Sequence, residues 1–210
     1  MLPAPGGPIP VKYPRARPGQ HIPEEVFSLE QLVNGYREFL ENADRELYGR
    51  LAKGQAPHTL VVSCSDSRIV PEEIFSAKPG ELFVLRNVGN VCRLDDPSVA
   101  CAVEYAVNHL KVRRIVVLAH SDCGAVKAVE HKEHLDSPGL VDWLCEECFE
   151  GCDLDCAIKA SGIRQFKRVT AHPAVEAAMK EGRLEVELLF FDLATLGLAR
   201  YDGKDWDKIC

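Results

Sequence analysis

No apolar run in this chain approaches the roughly 18 residues that a membrane-spanning helix requires. No membrane partner is expected. The amino terminus lacks the charged stretch and apolar core of a secretory signal, so a cytoplasmic location is expected. There is no long basic run either. The 25 basic and 32 acidic residues leave a formal net charge of −7, which disfavours a nucleic-acid partner. No internal repeat is visible. With 210 residues, 46% of them hydrophobic, the chain can bury a full core as one domain.

Proline and cysteine, by contrast, are plentiful and unevenly placed. Pro3, Pro5, Pro8, Pro10, Pro14, Pro18 and Pro23, with Gly6, Gly7 and Gly19, crowd the start. Such a segment forms neither a helix nor a central strand. Residues 1–25 are read as a Pro-rich extended arm, either a disordered tail or a strap on a neighbouring subunit. Residues 26–210 are read as a single domain. The nine cysteines make an odd number for a disulfide framework. In a cytoplasmic enzyme, cysteines more often ligate metals or sit buried as small apolar groups.

Ser28 and Gln31 have the spacing of a capping box. Leu29, Leu32, Val33, Tyr36, Phe39, Leu40, Ala43 and Leu47 then follow on one helical face. The pattern predicts one helix ending near Lys53-Gly54. Strands are predicted at 59–63, 82–85, 115–119 and 184–191. Helices are predicted at 71–75, 97–110, 163–170 and 173–180, and from Cys123 to about His131. Residues 133–160 read as an irregular, cysteine-rich insertion. The strands are short and nearly continuous in apolar residues, as when helices cover both sheet faces. The expected fold class is α/β, a mainly parallel β-sheet flanked by helices. Ligands of such sheets bind at the carboxyl ends of the strands.

Two of these ends carry reactive groups. Leu60-Val61-Val62 runs into Cys64, Asp66 and Arg68, and Ile115 to Ala119 runs into His120 and Cys123. The separation of 56 residues from Cys64 to His120 excludes a compact zinc finger, whose ligands come as two close pairs. A set of two cysteines and one histidine leaves a fourth position open, as catalytic zinc sites do. A single cysteine at a strand end is more often a small buried residue; the pairing of two polar strand ends favours a metal. Asp66 and Arg68 face the same side of an extended segment. They form either a surface ion pair worth under about 1 kcal/mol or part of that site. Gly124 allows close backbone approach and exposes an N–H at a helix start.

Cys64-Ser65-Asp66-Ser67-Arg68, Arg86-Asn87-Val88-Gly89-Asn90, Glu104-Tyr105-Ala106-Val107 and His120-Ser121-Asp122-Cys123-Gly124 together resemble the β-class carbonic anhydrases, from about Ser28 to Asp202. The resemblance implies one zinc ion per chain on Cys64, His120 and Cys123, with water in the fourth place. It implies reversible hydration of carbon dioxide to bicarbonate and a proton, by attack of zinc-bound hydroxide. Asp66 would accept a hydrogen bond from that hydroxide, and Arg68 would keep the carboxylate off the metal. Gln55, Phe83, Val88, Tyr105 and Gly124 stand where plant-like members line the substrate pocket. Val61 stands where bicarbonate-regulated members carry tryptophan, so an open site is expected rather than one closed by Asp66. Ala119 and Ser63 are small departures from the family pattern, and Phe190-Phe191-Asp192 lacks the tryptophan and tyrosine often found there. The resemblance also implies a homodimer or higher homo-oligomer with active sites at the subunit interface, Gln55 reaching the partner's pocket. Some relatives with the same triad hydrolyse carbon disulfide or carbonyl sulfide, which is the alternative function. A non-catalytic zinc or redox-sensing protein is a third reading, against which the Asp66–Arg68 pair argues.

Cys145, Cys148, Cys152 and Cys156 lie outside that pattern. On one straight helix they would share about 80° of arc but spread over about 16 Å. Four sulfurs around one zinc lie within about 4 Å of each other. Free thiols, disulfides within or between chains, and a second metal or iron–sulfur site all stay open. Cys92, Cys101 and Cys210 are read as structural or free.

Overall fold

The computed structural model describes residues 28–130, 137–144, 151 and 153–210. The chain divides into two compact units, Met1–Gly49 and Arg50–Cys210. The first contains α1 (Leu29–Asn42), which opens on the expected capping box. Ser28 Oγ accepts from the Gln31 N–H at 3.2 Å, and Gln31 Oε1 accepts from the Ser28 N–H at 2.6 Å. No residue of α1 is buried; Leu29, Leu32 and Tyr36 are 77%, 58% and 59% exposed. The single helix expected up to Lys53 is in fact two. Ala43 turns extended, and Asp44 accepts from the Leu47 N–H at 2.9 Å, which caps α2 (Arg45–Leu51). Apolar periodicity runs across the break, but a local side-chain cap overrides it.

The second unit is built on a six-stranded sheet in the order β2-β1-β3-β4-β5-β6. The strands are β1 (Thr59–Cys64), β2 (Leu82–Asn87), β3 (Arg114–His120), β4 (Glu185–Phe191), β5 (Leu198–Tyr201) and β6 (Trp206–Lys208). β1 to β4 are mutually parallel, whereas β5 and β6 add an antiparallel edge. The α/β class with a mainly parallel sheet is therefore correct. The sequence reading missed β5 and β6, which are only four and three residues long. Their turn carried a signal, Asp202-Gly203, a strong hairpin pair. Asp202 Oδ1 there accepts from the N–H groups of Lys204 and Asp205, both at 2.7 Å.

Every residue of β1 is buried, as continuous apolar strands require when both faces are covered. On one face Leu60, Val62, Ile115, Val117 and Leu188 form the main core. They meet α4 (Pro97–Glu104) and α8 (Pro173–Lys180) through Val99, Val103, Val175 and Ala178. On the other, Val61, Val116, Leu118 and Ile69 pack with Phe75, next to α3 (Pro71–Ile74). Each such side chain contributes about 1.5–3 kcal/mol by leaving water. The helix expected over 97–110 continues past α4 as a wider π turn over Tyr105–His109, where the Leu110 N–H reaches the Tyr105 carbonyl at 3.0 Å.

The insertion is not irregular throughout. α5 (Gly124–Glu130) precedes it, α6 (Pro138–Leu144) lies inside it, and α7 (Leu154–Thr170) starts nine residues earlier than expected. Asp153 explains that start: its Oδ1 accepts from the Cys156 N–H at 2.9 Å, an N-cap. α7 lies close against the sheet through Gly162, where a Cβ would come within 3.2 Å of the Ala119 Cβ. Cys145, Cys148 and Cys152 lie outside the described residues, and Cys156 is disulfide-bonded. Cys101 and Cys210 are free thiols, and Cys92 is buried with its Sγ donating to the Asn90 carbonyl at 3.5 Å.

Candidate metal centre

The register of the parallel strands gathers the reactive groups. Ser63 lies opposite Leu118 and Cys64 opposite Asn87, so Cys64 and His120 end neighbouring strands. Two residues past β3 the chain turns at Asp122, in the left-handed region at φ 58°, a conformation that Asp tolerates better than most residues. That turn returns Cys123 to the strand end. The ligand atoms of Cys64, His120 and Cys123 all lie within 4.8 Å of one another, and all three residues are buried.

The histidine tautomer is fixed by its neighbour. His120 Nδ1 lies 2.9 Å from the Ser121 carbonyl oxygen, which only accepts, so Nδ1 carries the hydrogen. Nε2 is then left with a lone pair, buried, without a hydrogen-bond partner among the described residues. A buried orphan acceptor costs about 1–3 kcal/mol. Here it stands beside two sulfurs, and a cation between the three would satisfy it. Cys64 Sγ in addition accepts from the N–H groups of Asp66 and Gly89, both at 3.4 Å. The Cys123 hydrogen bond, His120 and these two N–H groups pull the Cys64 thiol down against its burial. Cys123 goes the other way: its hydrogen bond to Cys64 raises it, burial adds to that, and the charge of Cys64 does so too. A divalent cation removes that conflict by deprotonating both. The donor set fits a metal.

Beside the triad, Arg68 grips Asp66. Its Nε donates to Asp66 Oδ1 at 2.9 Å and its Nη2 to Oδ2 at 2.7 Å. Asp66 is held well below the usual carboxylate range, to about 2, chiefly by these bonds. Arg68 also donates from Nη1 to Asp122 Oδ2 at 2.9 Å, and Asp122 is paired with Lys127 as well. The Asp122 carboxyl is lowered by both. Arg86 braces the same turn by donating to the carbonyls of Cys64, Asp66 and Ile69, at 3.1, 2.9 and 2.7 Å.

Residues 59–198 match the carbonic anhydrase family. A carbonic anhydrase of Pseudomonas aeruginosa is 35% identical over 194 residues, covering 83% of this chain and 88% of that protein. The chain belongs to the β-class carbonic anhydrase family. Membership makes it an enzyme, a carbonic anhydrase. Among solved structures, the β-carbonic anhydrase CcaA superposes with a TM-score of 0.79 at 28% identity, over 86% of this chain and 92% of that one. One of two tetrameric β-carbonic anhydrases from Sordaria macrospora gives 0.71 at 27% identity, over 82% and 94%. Nothing in these comparisons favours the alternative, a hydrolase of carbon disulfide or carbonyl sulfide.

The residues expected to line a substrate pocket divide into two groups. Val88 and Gly124 lie at the carboxyl end of the sheet. Val88 follows β2, is 44% exposed, and its carbonyl accepts from Trp143 Nε1 at 2.8 Å. Gly124 starts α5, with open space where a Cβ would stand. Phe83 and Tyr105 pack on each other, ring centroids 5.9 Å apart. Phe83 lies opposite Leu60, four residues before Cys64, or about 13 Å down the strand at 3.3 Å per residue. Gln55 precedes β1 altogether. Within one chain these three are not brought to the metal centre.

Sequence reasoning did not single out Gly89, Arg86 or Asp122 as site residues. Gly89 has φ 79°, and a Cβ on it would stand 3.0 Å from the Ala125 Cβ. That conformation, open to glycine, aims its N–H at the Cys64 sulfur. The signal was the glycine and arginine inside Arg86-Asn87-Val88-Gly89-Asn90, which local pattern could not assign to a contact 25 residues away.

Proposed function

We propose that this chain catalyses the reversible hydration of carbon dioxide to bicarbonate and a proton, with one zinc ion held by Cys64, His120 and Cys123. The observation that carries this reading is the buried, unpartnered His120 Nε2 facing two cysteine sulfurs, with a clamped carboxylate beside them. Two thiolates and an imidazole suit zinc, and their two negative charges balance a dication. When bound, zinc acts as a Lewis acid that lowers the pKa of water towards about 7.

The chain's own groups then direct the reaction. Asp66 stays ionised and accepts a hydrogen bond from the attacking water, which turns an oxygen lone pair towards carbon dioxide. Arg68 occupies both Asp66 oxygens, so the carboxylate does not take the place of water at the metal. That arrangement supports an open site. The Gly124 N–H, at a helix start, orients a substrate oxygen, and Val88 offers an apolar wall. Stopped-flow measurement of carbon dioxide hydration should show activity in the zinc-loaded protein and a loss of about 100-fold or more in Asp66→Ala, the range of a positioned proton acceptor. No activity in wild-type protein with zinc bound refutes the reading.

Gln55, Phe83 and Tyr105 are assigned to the substrate pocket of a second copy of the chain, since β1 separates them from their own metal centre. The exposed apolar face of α1 is the corresponding contact surface. Large exposed apolar faces mark interaction sites. Leu32→Asp should convert the oligomer to monomers by light scattering and cut activity at least ~10-fold, as expected when positioning groups are withdrawn. A variant that keeps the wild-type mass and rate removes α1 from the interface.

A further inference from the structure

A cavity of about 590 Å³ opens at the opposite edge of the sheet, where β1, β3 and β4 begin. Its lining carries His58, Lys111, Arg113, Arg114 and Arg183 against one acid, Glu185. Counting histidine as neutral, that is four positive charges to one negative, in a chain whose formal net charge is −7. Arg114 is paired with Glu185 at 2.5 Å, and Arg183 with Glu181 at 2.5 Å. Lys111 and Arg113 have no ion-pair partner among the described residues. Two unpaired cations two residues apart repel each other, and an anion between them turns that cost into attraction.

The walls are fixed by the backbone. The Arg113 N–H bonds the His58 carbonyl at 3.0 Å, the Glu185 N–H bonds the Arg113 carbonyl at 3.1 Å, and the His58 N–H bonds the Glu81 carbonyl at 3.0 Å. The entrances of β1, β2, β3 and β4 are thus tied together. Lys111 at φ 55° and Gly182 at φ 69° turn the chain just ahead of β3 and β4. The basic residues therefore sit on a rigid frame and not on a loose loop, which is the preorganisation that a ligand site needs.

We propose that this cavity binds an oligophosphate, either free or as the phosphate chain of a larger metabolite. Size and charge both select it. The volume falls in the range of about 300–1,000 Å³ that holds small-molecule ligands, so a single bicarbonate or chloride would leave most of it empty. Two free cations and two partly engaged guanidinium groups match an anion with several negative charges. Guanidinium forks also meet phosphate oxygens in pairs. The site is separate from the metal centre and does not rest on its chemistry.

The test is calorimetric titration of the zinc-loaded protein with inorganic pyrophosphate and, separately, with adenosine triphosphate, at constant ionic strength without magnesium. One site per chain is expected, with Kd below about 1 mM and weaker binding at higher salt. The double variant Lys111→Gln/Arg113→Gln should bind at least ~10-fold more weakly, as expected on losing two charge-assisted contacts. Its zinc content and its carbon dioxide hydration without oligophosphate should be unchanged. Tighter binding of the nucleotide indicates that more than the phosphate chain is held; equal affinities indicate that the phosphates alone are read. No saturable binding, or binding that the double variant leaves intact, overturns the proposal. Heat that tracks zinc loss equally in both proteins does so too.

Discussion

Cys123→Ser is expected to empty the metal centre while leaving the fold in place. Cys123 is buried among Val126, Val129 and Leu144 and offers one of three candidate ligand atoms within 4.8 Å of each other. A structural zinc site releases about 10–16 kcal/mol on binding, so removing one ligand in three costs about 4 kcal/mol, or roughly 1,000-fold in affinity. Serine is nearly isosteric, and its hydroxyl can still accept from the N–H groups at the start of α5, so the packing penalty is small. Zinc per chain, measured after dialysis, should fall from about one to under ~0.1, and carbon dioxide hydration should fall at least ~10-fold with it. The melting temperature should fall to that of chelator-stripped wild type and no further, because both proteins lose the same ligand-linked stability. A Cys123→Ser protein that keeps its zinc would mean that the thiolate is not a ligand. Melting far below the stripped wild type would show Cys123 to be a packing residue first.

A bound dication would also resolve an electrostatic conflict between the two thiols. The Cys123 hydrogen bond, His120 and the N–H groups of Asp66 and Gly89 lower the Cys64 thiol against its burial, and the hydrogen bond to Cys64, with burial, raises Cys123. The two shifts are opposed, Cys64 lowered and Cys123 raised, so burial of both charges together is disfavoured until a dication offsets them. Metal uptake should therefore be accompanied by proton release, as expected when thiols become ligands.

The sheet and the triad were legible in the sequence for different reasons. Continuous apolar runs such as Leu60-Val61-Val62 report two-sided burial directly. Cys64 and His120-x-x-Cys123 follow such runs immediately, so strand ends could be located without knowing the register. What was not legible depended on caps and on distant contacts. The break at Ala43-Asp44 comes from one hydrogen bond to Asp44, which competes with an unbroken apolar pattern. β5 and β6 are too short to show a period. Gly89 and Asp122 join the site through contacts 25 and 54 residues away in sequence, and no local pattern encodes those. The basic cavity is similar: Lys111, Arg113 and Arg183 look like ordinary surface charges until β3 and β4 pair.

Arg68 is expected to give the second large effect, because on the proposed reading it keeps a directing carboxylate from becoming a competing metal ligand. Five hydrogen bonds fix it: three to Asp66, including one from its own N–H at 3.0 Å, and two to Asp122. The guanidinium is 46% exposed and Asp66 only 13%, so the Coulomb part is screened from one side and the geometry does most of the holding. An exposed pair alone contributes under about 1 kcal/mol, which is at most roughly fivefold in rate. Arg68→Ala is expected to cost about 100-fold in kcat/KM, the upper range for residues that orient the groups around a metal. Zinc content should stay unchanged. Arg68→Lys keeps the charge but cannot take both carboxylate oxygens as a fork, so it should fall between, at about 10-fold. Without the fork, Asp66 is free to rotate onto the metal, and a crystal structure of Arg68→Ala at neutral pH should show its carboxylate there. A loss within fivefold for Arg68→Ala, with Asp66 still turned away from the zinc, would reduce the pair to a surface bridge. In that case Asp66 would have to be positioned by the Cys64 turn and by Arg86, whose guanidinium holds the Asp66 carbonyl at 2.9 Å.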